Sequence, residues 1–295
     1  MVWRLFCLGW LLLLAIAPAR AIEDVGTSPQ LSPPTSSNIP NWTTGWVQPP
    51  VQPAGFTTTT GWNYVGSVNG DSAVYLGNGW VITCAHVQAG NLTLNGVVYP
   101  MVSNSAQTLG PIDLVLFEVS PSPLLPPLPL RSADPVAFSS PVAMLGFGIG
   151  GGNRGESWGF DTVTEINQSI TPSGTSFVSN DFLTLTGSST SGGHTVNNAY
   201  QVDSGDSGGG DFIFNTTTNR WELAGINEVM GTVTFDNGSQ QGFSGFVQID
   251  TYAQQIQAII QAPTDTPTLP QWALIALAGL LIVLSTPGAR NALRR

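Results

Sequence analysis

The chain of 295 residues contains no lysine, so all eight of its basic residues are arginines. It has two cysteines, two histidines and only 9% charged residues. With so few cations and a formal net charge of −10, no basic face can displace counterions from phosphates, which excludes nucleic acid as a partner. Two cysteines and two histidines leave no structural zinc site and no disulfide framework. Long helical periodicity is missing too. Together with 34 glycines and 22 prolines, that rules out a coiled coil or helical bundle. What is present is 42% hydrophobic residues, enough for a sizeable core and against global disorder. All 18 acids lie between Glu23 and Asp265, where only Arg131, Arg154 and Arg220 supply positive charge. They are scattered, as on a solvated face, which favours solubility.

Both ends have the character of targeting segments. Residues 1–21 combine Arg4, the apolar run Leu5 to Ala17, and Ala19-Arg20-Ala21 before a cut at Ile22, the form of a secretory signal peptide. An uncleaved anchor is the competing reading. Cys7 leaves with the signal, and Cys84 alone forms no internal disulfide. A second apolar run, Trp272 to Leu284, covers only about 20 Å as a helix, against about 30 Å of hydrocarbon. Counting Leu269 to Ala289 makes a span possible, and Arg290, Arg294 and Arg295 place the extreme C-terminus on the cytoplasmic side. Just before the run, Thr266-Pro267-Thr268-Leu269-Pro270-Gln271-Trp272-Ala273 resembles the IPTL-CTERM sorting signal of Gram-negative bacteria. Pro267, Thr268, Leu269 and Trp272 match it, while Thr266 and Ala273 replace its Ile and Gly. The resemblance implies transient membrane association through residues 262–295, a sorting peptidase of exosortase type as partner, and delivery to the cell surface or medium. A permanent single-span anchor is the alternative.

Residues 22–60 are rich in Pro, Ser and Thr, the composition of an extended linker. The globular part is then 61–261. It contains short β-branched and aromatic runs, such as Trp80-Val81-Ile82-Thr83 and Asp113-Leu114-Val115-Leu116-Phe117, separated by turn signals such as Asn69-Gly70, Asn78-Gly79 and Asn237-Gly238. One helix stands out at the end, with Thr251 as its cap and Tyr252, Ile256, Ile259 and Ile260 as its apolar stripe. The pattern is all-β, a barrel or sandwich architecture with a C-terminal helix.

The sharpest chemical signal is Asp203-Ser204-Gly205-Asp206-Ser207-Gly208-Gly209-Gly210. A nucleophilic serine needs a tight turn that exposes its oxygen and backbone N–H groups that converge on an oxyanion. The placement of the glycines favours Ser207 over Ser204. A base must be His86 or His194. His86 ends a strong strand, where a catalytic group has rigid support, whereas His194 lies in Ser191-Gly192-Gly193-His194. Asp113 opens an apolar strand, where a carboxylate is costly unless hydrogen-bonded. The bland alternatives are a glycine-rich surface loop, a solvated histidine and a strand-capping aspartate.

Val81-Ile82-Thr83-Cys84-Ala85-His86, Ile112-Asp113-Leu114-Val115-Leu116 and Gly205-Asp206-Ser207-Gly208-Gly209 stand in the order His, Asp, Ser. This resembles the trypsin-like (chymotrypsin-fold) serine endopeptidases of bacterial type. Leu145-Gly146-Phe147-Gly148 and Leu223-Ala224-Gly225-Ile226 are similar to two further strands of that family. The resemblance implies two six-stranded antiparallel β-barrels with a C-terminal helix, protein or peptide substrates and no cofactor or metal. It implies Ser207 as nucleophile, His86 as general base and acid, and Asp113 as the group that orients His86. The N–H groups of Gly205 and Ser207 would form the oxyanion hole. Gln201 takes the position that floors the primary specificity pocket, with Asp203 the other source of charge there. Asn227, Glu228, Val229 and Met230 take the strand that pairs with substrate backbone.

Some family members are activated when a new Ile N-terminus pairs with the Asp before the serine, here Ile22 and Asp206. The Pro-rich composition of 22–60 argues against a packed terminus. Cys84 stands where the family has Ala, as a small buried residue. A Gly-x-Gly-x-x-Gly match at Gly146, Gly148 and Gly151 is followed by no helix pattern and is a loop. Two other functions compete. One is a catalytically silent copy acting as a surface binding module. The other is an esterase, whose triad order, Ser, Asp, His, is not met.

Overall fold

The computed structural model describes residues 22–24, 30–53, 56, 59–148, 155–235 and 238–261. The predicted signal peptide, the whole C-terminal segment 262–295 and Gly151 lie outside them. No helix among the described residues is long and apolar enough to cross a membrane. The chain divides into two units, 1–256 and 257–295, and every strand among the described residues lies in the first.

The strands in chain order begin with β1 (Glu23–Asp24), β2 (Val65–Val68), β3 (Asp71–Gly77), β4 (Trp80–Thr83), β5 (Leu92–Leu94), β6 (Val97–Tyr99), β7 (Gln107–Thr108) and β8 (Val115–Glu118). Of these, β2 to β8 form one antiparallel sheet in the order β6-β5-β2-β3-β4-β8-β7. The turns Asn69-Gly70 and Asn78-Gly79 join β2 to β3 and β3 to β4. All four residues have positive φ (53°, 101°, 53° and 88°), the geometry that matches strand twist in a two-residue hairpin.

There follow β9 (Pro141–Gly146), β10 (Ser157–Thr162), β11 (Glu165–Ile170), β12 (Ser179–Leu185), β13 (Gly187–Ser191), β14 (His194–Asn198), β15 (Tyr200–Gln201), β16 (Gly210–Asn215), β17 (Arg220–Thr234) and β18 (Gln240–Gln248). The second sheet runs β10-β9-β16-β17-β18-β12-β11, while β1 pairs with β15 and β13 with β14. The mostly-β architecture of two sheets and a final helix is as predicted, but each sheet has seven strands where six were expected. The count of six comes from the family resemblance; among the strands of the two sheets, β7 (Gln107–Thr108) and β11 (Glu165–Ile170) are edge strands too short or too polar to carry a hydrophobic run.

The helix α1 (Ile249–Ile260) starts earlier than its sequence pattern predicts. Thr251 therefore lies inside the first turn, and its Oγ1 accepts a hydrogen bond from Asn180 Nδ2 at 2.9 Å. Ile249, Tyr252, Ala253 and Ile256 are its buried residues.

The largest departure from expectation precedes β2. Residues 30–53, predicted to be part of an extended linker, form a strap over the second sheet. Gln30 bridges Trp158, and Ile39 and Trp42 are fully buried. Trp42 meets Trp221 edge-on at 5.2 Å, and Trp46 stacks on Trp221 at 5.8 Å and on Tyr64 at 6.2 Å. Trp221 Nε1 donates to the Asn41 carbonyl at 2.9 Å. Averaged composition hides two tryptophans among many prolines and threonines. Each aromatic pair adds about 0.5–1.5 kcal/mol beyond area burial, and that anchors the segment. Ile22 is likewise fully buried, in a core cluster with Val142, Met144, Phe182, Val202 and Phe246.

Candidate active site

β4 and β8 are antiparallel neighbours, with Thr83 opposite Val115. His86 follows β4 and Asp113 precedes β8, so the pairing brings the two ends together. Asp113 is fully buried. Its Oδ1 accepts the His86 backbone N–H at 2.8 Å, and its Oδ2 lies 2.5 Å from His86 Nδ1. Those two contacts fix the ring against rotation. Burial pushes the imidazole pKa down, but the hydrogen bond and charge of Asp113, helped by Asp71 and Glu228, outweigh it and raise the pKa.

The Ser207 loop docks on β3 and β17. Ser72 N–H in β3 donates to the Ser207 carbonyl at 2.9 Å, and Ser72 Oγ donates to the Gly205 carbonyl at 2.9 Å. Gly208 N–H donates to the Asn227 carbonyl at 2.8 Å. Gly208 has φ +86°, and a Cβ there would overlap Thr83 Oγ1 and the Ser72 carbonyl, so no other residue fits. Among the described residues no group accepts from the N–H of Gly205 or Ser207. Two donors on one turn are thus left for an oxyanion. No hydrogen bond joins His86 to Ser207 among the described residues.

Asp206, beside the serine, is fully buried. Its carboxylate accepts N–H groups from Gly148 at 2.8 Å and Asp203 at 2.9 Å, and from Ile22. Burial still pushes its pKa up to about 8, because backbone donors only partly replace water and no cation is among the groups acting on it.

A cavity of about 530 Å³ opens beside Ser207. Asp203, Asn227, Glu228, Val229 and Met230 line it, together with Val202 and Ser204. Gln201 is not in that lining. Its Nε2 donates to the carbonyls of Gly231 at 3.3 Å and Phe243 at 3.1 Å, tying β15 to β17 and β18. His194 pairs with Ser191 in the exposed β13–β14 hairpin.

Cys84, His86 and Asp113 bring one ligand atom each within 4.8 Å of one another. The donor set fits a metal poorly. The Cys84 thiol is fully buried and donates to the Asn227 carbonyl at 3.1 Å. Burial and the charge of Asp113 raise its pKa well above the ordinary thiol value, whereas a metal needs the thiolate.

Sequence reasoning missed Ser179 and Asp181. Both are buried on β12 and face Asp113 and Glu228. The signal available was an acid in the strand segment Asp181-Phe182-Leu183.

A family model for the trypsin-like peptidase domain matches residues 70–221, just over half of the chain, and the protein belongs to that family. Among solved structures, the inactive form of the Rv3671c protease is 18% identical, with 68% of this chain and 90% of that one covered and a TM-score of 0.44. The MamO protease domain from Magnetospirillum magneticum, apo form, is 18% identical, with 65% and 95% covered and a TM-score of 0.41. The active form of Rv3671c from M. tuberculosis is 17% identical, with 66% and 78% covered and a TM-score of 0.44. No curated protein matches the sequence.

Proposed function

We propose that this protein is a secreted serine endopeptidase that hydrolyses peptide bonds through an acyl-enzyme. Ser207 Oγ attacks the scissile carbonyl and His86 takes its proton, later giving it to the leaving amine. Asp113 holds the imidazole in the required tautomer and stabilises its charged form, and the N–H groups of Gly205 and Ser207 receive the oxyanion. The observation that carries this reading is the buried Asp113 locked on His86 at 2.5 Å, next to a serine turn with two unengaged amides. Substrate binding closes the contact between His86 and Ser207, as ligand-free sites often hold such contacts open.

Of the two acids that line the 530 Å³ cavity, Asp203 and Glu228, Asp203 is the more exposed and is the one that would present charge to a substrate side chain. Cleavage after Ala21 follows export and creates an ammonium on Ile22, whose N–H already points at Asp206. That new cation supplies the counter-charge the buried carboxyl lacks, and locks the serine loop. The C-terminal segment then holds the enzyme at the membrane until a sorting peptidase of exosortase type releases it to the cell surface or medium.

The test is labelling of the full-length, leader-processed chain with an organophosphonate serine probe. Wild type is expected to be labelled on Ser207. Ser207→Ala is expected to lose the label, together with at least about three orders of magnitude of peptide cleavage. A folded wild type that takes no label would make the protein a silent binding module instead.

A further inference from the structure

Behind the catalytic aspartate lies a chain of buried polar groups that the triad itself does not use. The Asp113 backbone N–H donates to Ser179 Oγ at 3.3 Å, and Ser179 Oγ in turn donates to Glu228 Oε1 at 2.5 Å. Glu228 meets Asp181 carboxyl to carboxyl. Asp181 is fully buried and Glu228 is 4% exposed. Glu228 Oε2 and both Asp181 oxygens have no donor within reach. Two ionised carboxylates cannot bond to each other, and three buried oxygens without a donor would be costly. One proton between the two acids removes the conflict, because a protonated carboxyl is a donor.

We propose that Asp181 and Glu228 are positioning residues of the triad, a carboxyl pair sharing one proton that fixes Asp113 through Ser179 and places one negative charge behind His86. This rests on the triad reading above. The hydroxyl hydrogen of Ser179 is committed to Glu228, so its lone pair must face Asp113 N–H, and the segment that carries the aspartate is held in place. The groups facing the pair come from several elements. They are Asp113 before β8, His86 and Cys84 after β4, Asp211 on β16 and Tyr252 on α1. None but His86 can carry positive charge, so the imidazolium is the natural counter-ion of the pair's charge. Burial raises the pKa of both members, and Glu228 raises Asp181 further, whereas the hydrogen bond with Asp181 lowers Glu228, so the shared proton sits on Asp181 and the charge on Glu228.

The chain has only two histidines. The full-length protein labelled with ¹⁵N-histidine therefore gives two sets of ring signals, and the exposed His194 serves as internal control. With one proton shared, either single variant, Glu228→Gln or Asp181→Asn, still carries one negative charge, so the His86 midpoint should stay close to wild type. The double variant carries none, and its midpoint should fall by about one pH unit. An unchanged double variant would overturn the positioning role. Two equal single shifts that add up to the double would overturn the shared proton.

Should the double variant fail to fold, infrared difference spectra of wild type against Glu228→Gln at pH 6 answer the same question. A protonated-carboxyl band lost in the variant supports sharing, and its absence sinks it. Phosphonate labelling runs alongside. An unlabelled wild type whose His86 midpoint still responds to the double substitution would refute the endopeptidase reading and leave the carboxyl pair standing.

Discussion

At the scale of single residues, the site depends on groups that cannot be exchanged for near relatives. Replacing Asp113 by Asn keeps the shape but presents an amide to His86 Nδ1, which favours the wrong tautomer. The rate at neutral pH is expected to fall about 10⁴-fold, because the imidazole loses the carboxylate that sets its tautomer, and single-turnover acylation at pH 7 measures it. Gly208→Ala puts a methyl group into Thr83 Oγ1 and the Ser72 carbonyl at φ +86°. A loss of about 1–3 kcal/mol is expected, read as a lower Tm, together with loss of phosphonate labelling as Ser207 is displaced. The sites of His86 and Asp113 were legible because each sits beside a strand whose hydrophobic run is unmistakable. Ser179 and Asp181 were not, because their meaning arises only when β12 comes to lie beside the Asp113 and Glu228 segments, a pairing no local pattern encodes. Gln201 shows the reverse. Its distance from the serine suggested a pocket floor, but two backbone carbonyls claim its amide.

At the scale of elements, strands bounded by Asn-Gly turns were readable from alternation and turn chemistry, while short polar edge strands were not. The strap over residues 30–53 was concealed because its burial rests on two side chains. Trp42→Ala removes the ring that meets Trp46, Phe212 and Trp221. A stability loss of about 3–5 kcal/mol is expected, measured by chemical denaturation. A loss below about 1 kcal/mol would mean that the strap rests on the sheet without supporting it.

At the scale of the whole molecule, buried acids set the response to pH. Asp206 is raised to about 8, and burial also raises Asp181 and Asp211. The folded chain therefore keeps protons that the unfolded chain releases above the ordinary carboxylate range. Stability from these groups is full at low pH and declines as pH rises through about 8. The unprocessed chain is expected to melt at a higher temperature at pH 5 than at pH 8.5, opposite to ordinary acid denaturation, and scanning calorimetry at the two values decides it. Processing to Ile22 should flatten the slope, because an ammonium beside Asp206 favours its ionised form.

The strap also changes how the two sheets are joined. Chain passes between them twice, once from the strap into β2 and once from β8 to β9. The aromatic contacts of Trp42 and Trp46 with Trp221 belong to the first passage and owe nothing to the second. A single nick between β8 and β9 therefore yields an N-terminal fragment that carries its own plug and a C-terminal fragment that carries the matching socket. A cut there would leave a two-chain protein, and the halves, made separately, have the parts needed to find each other again.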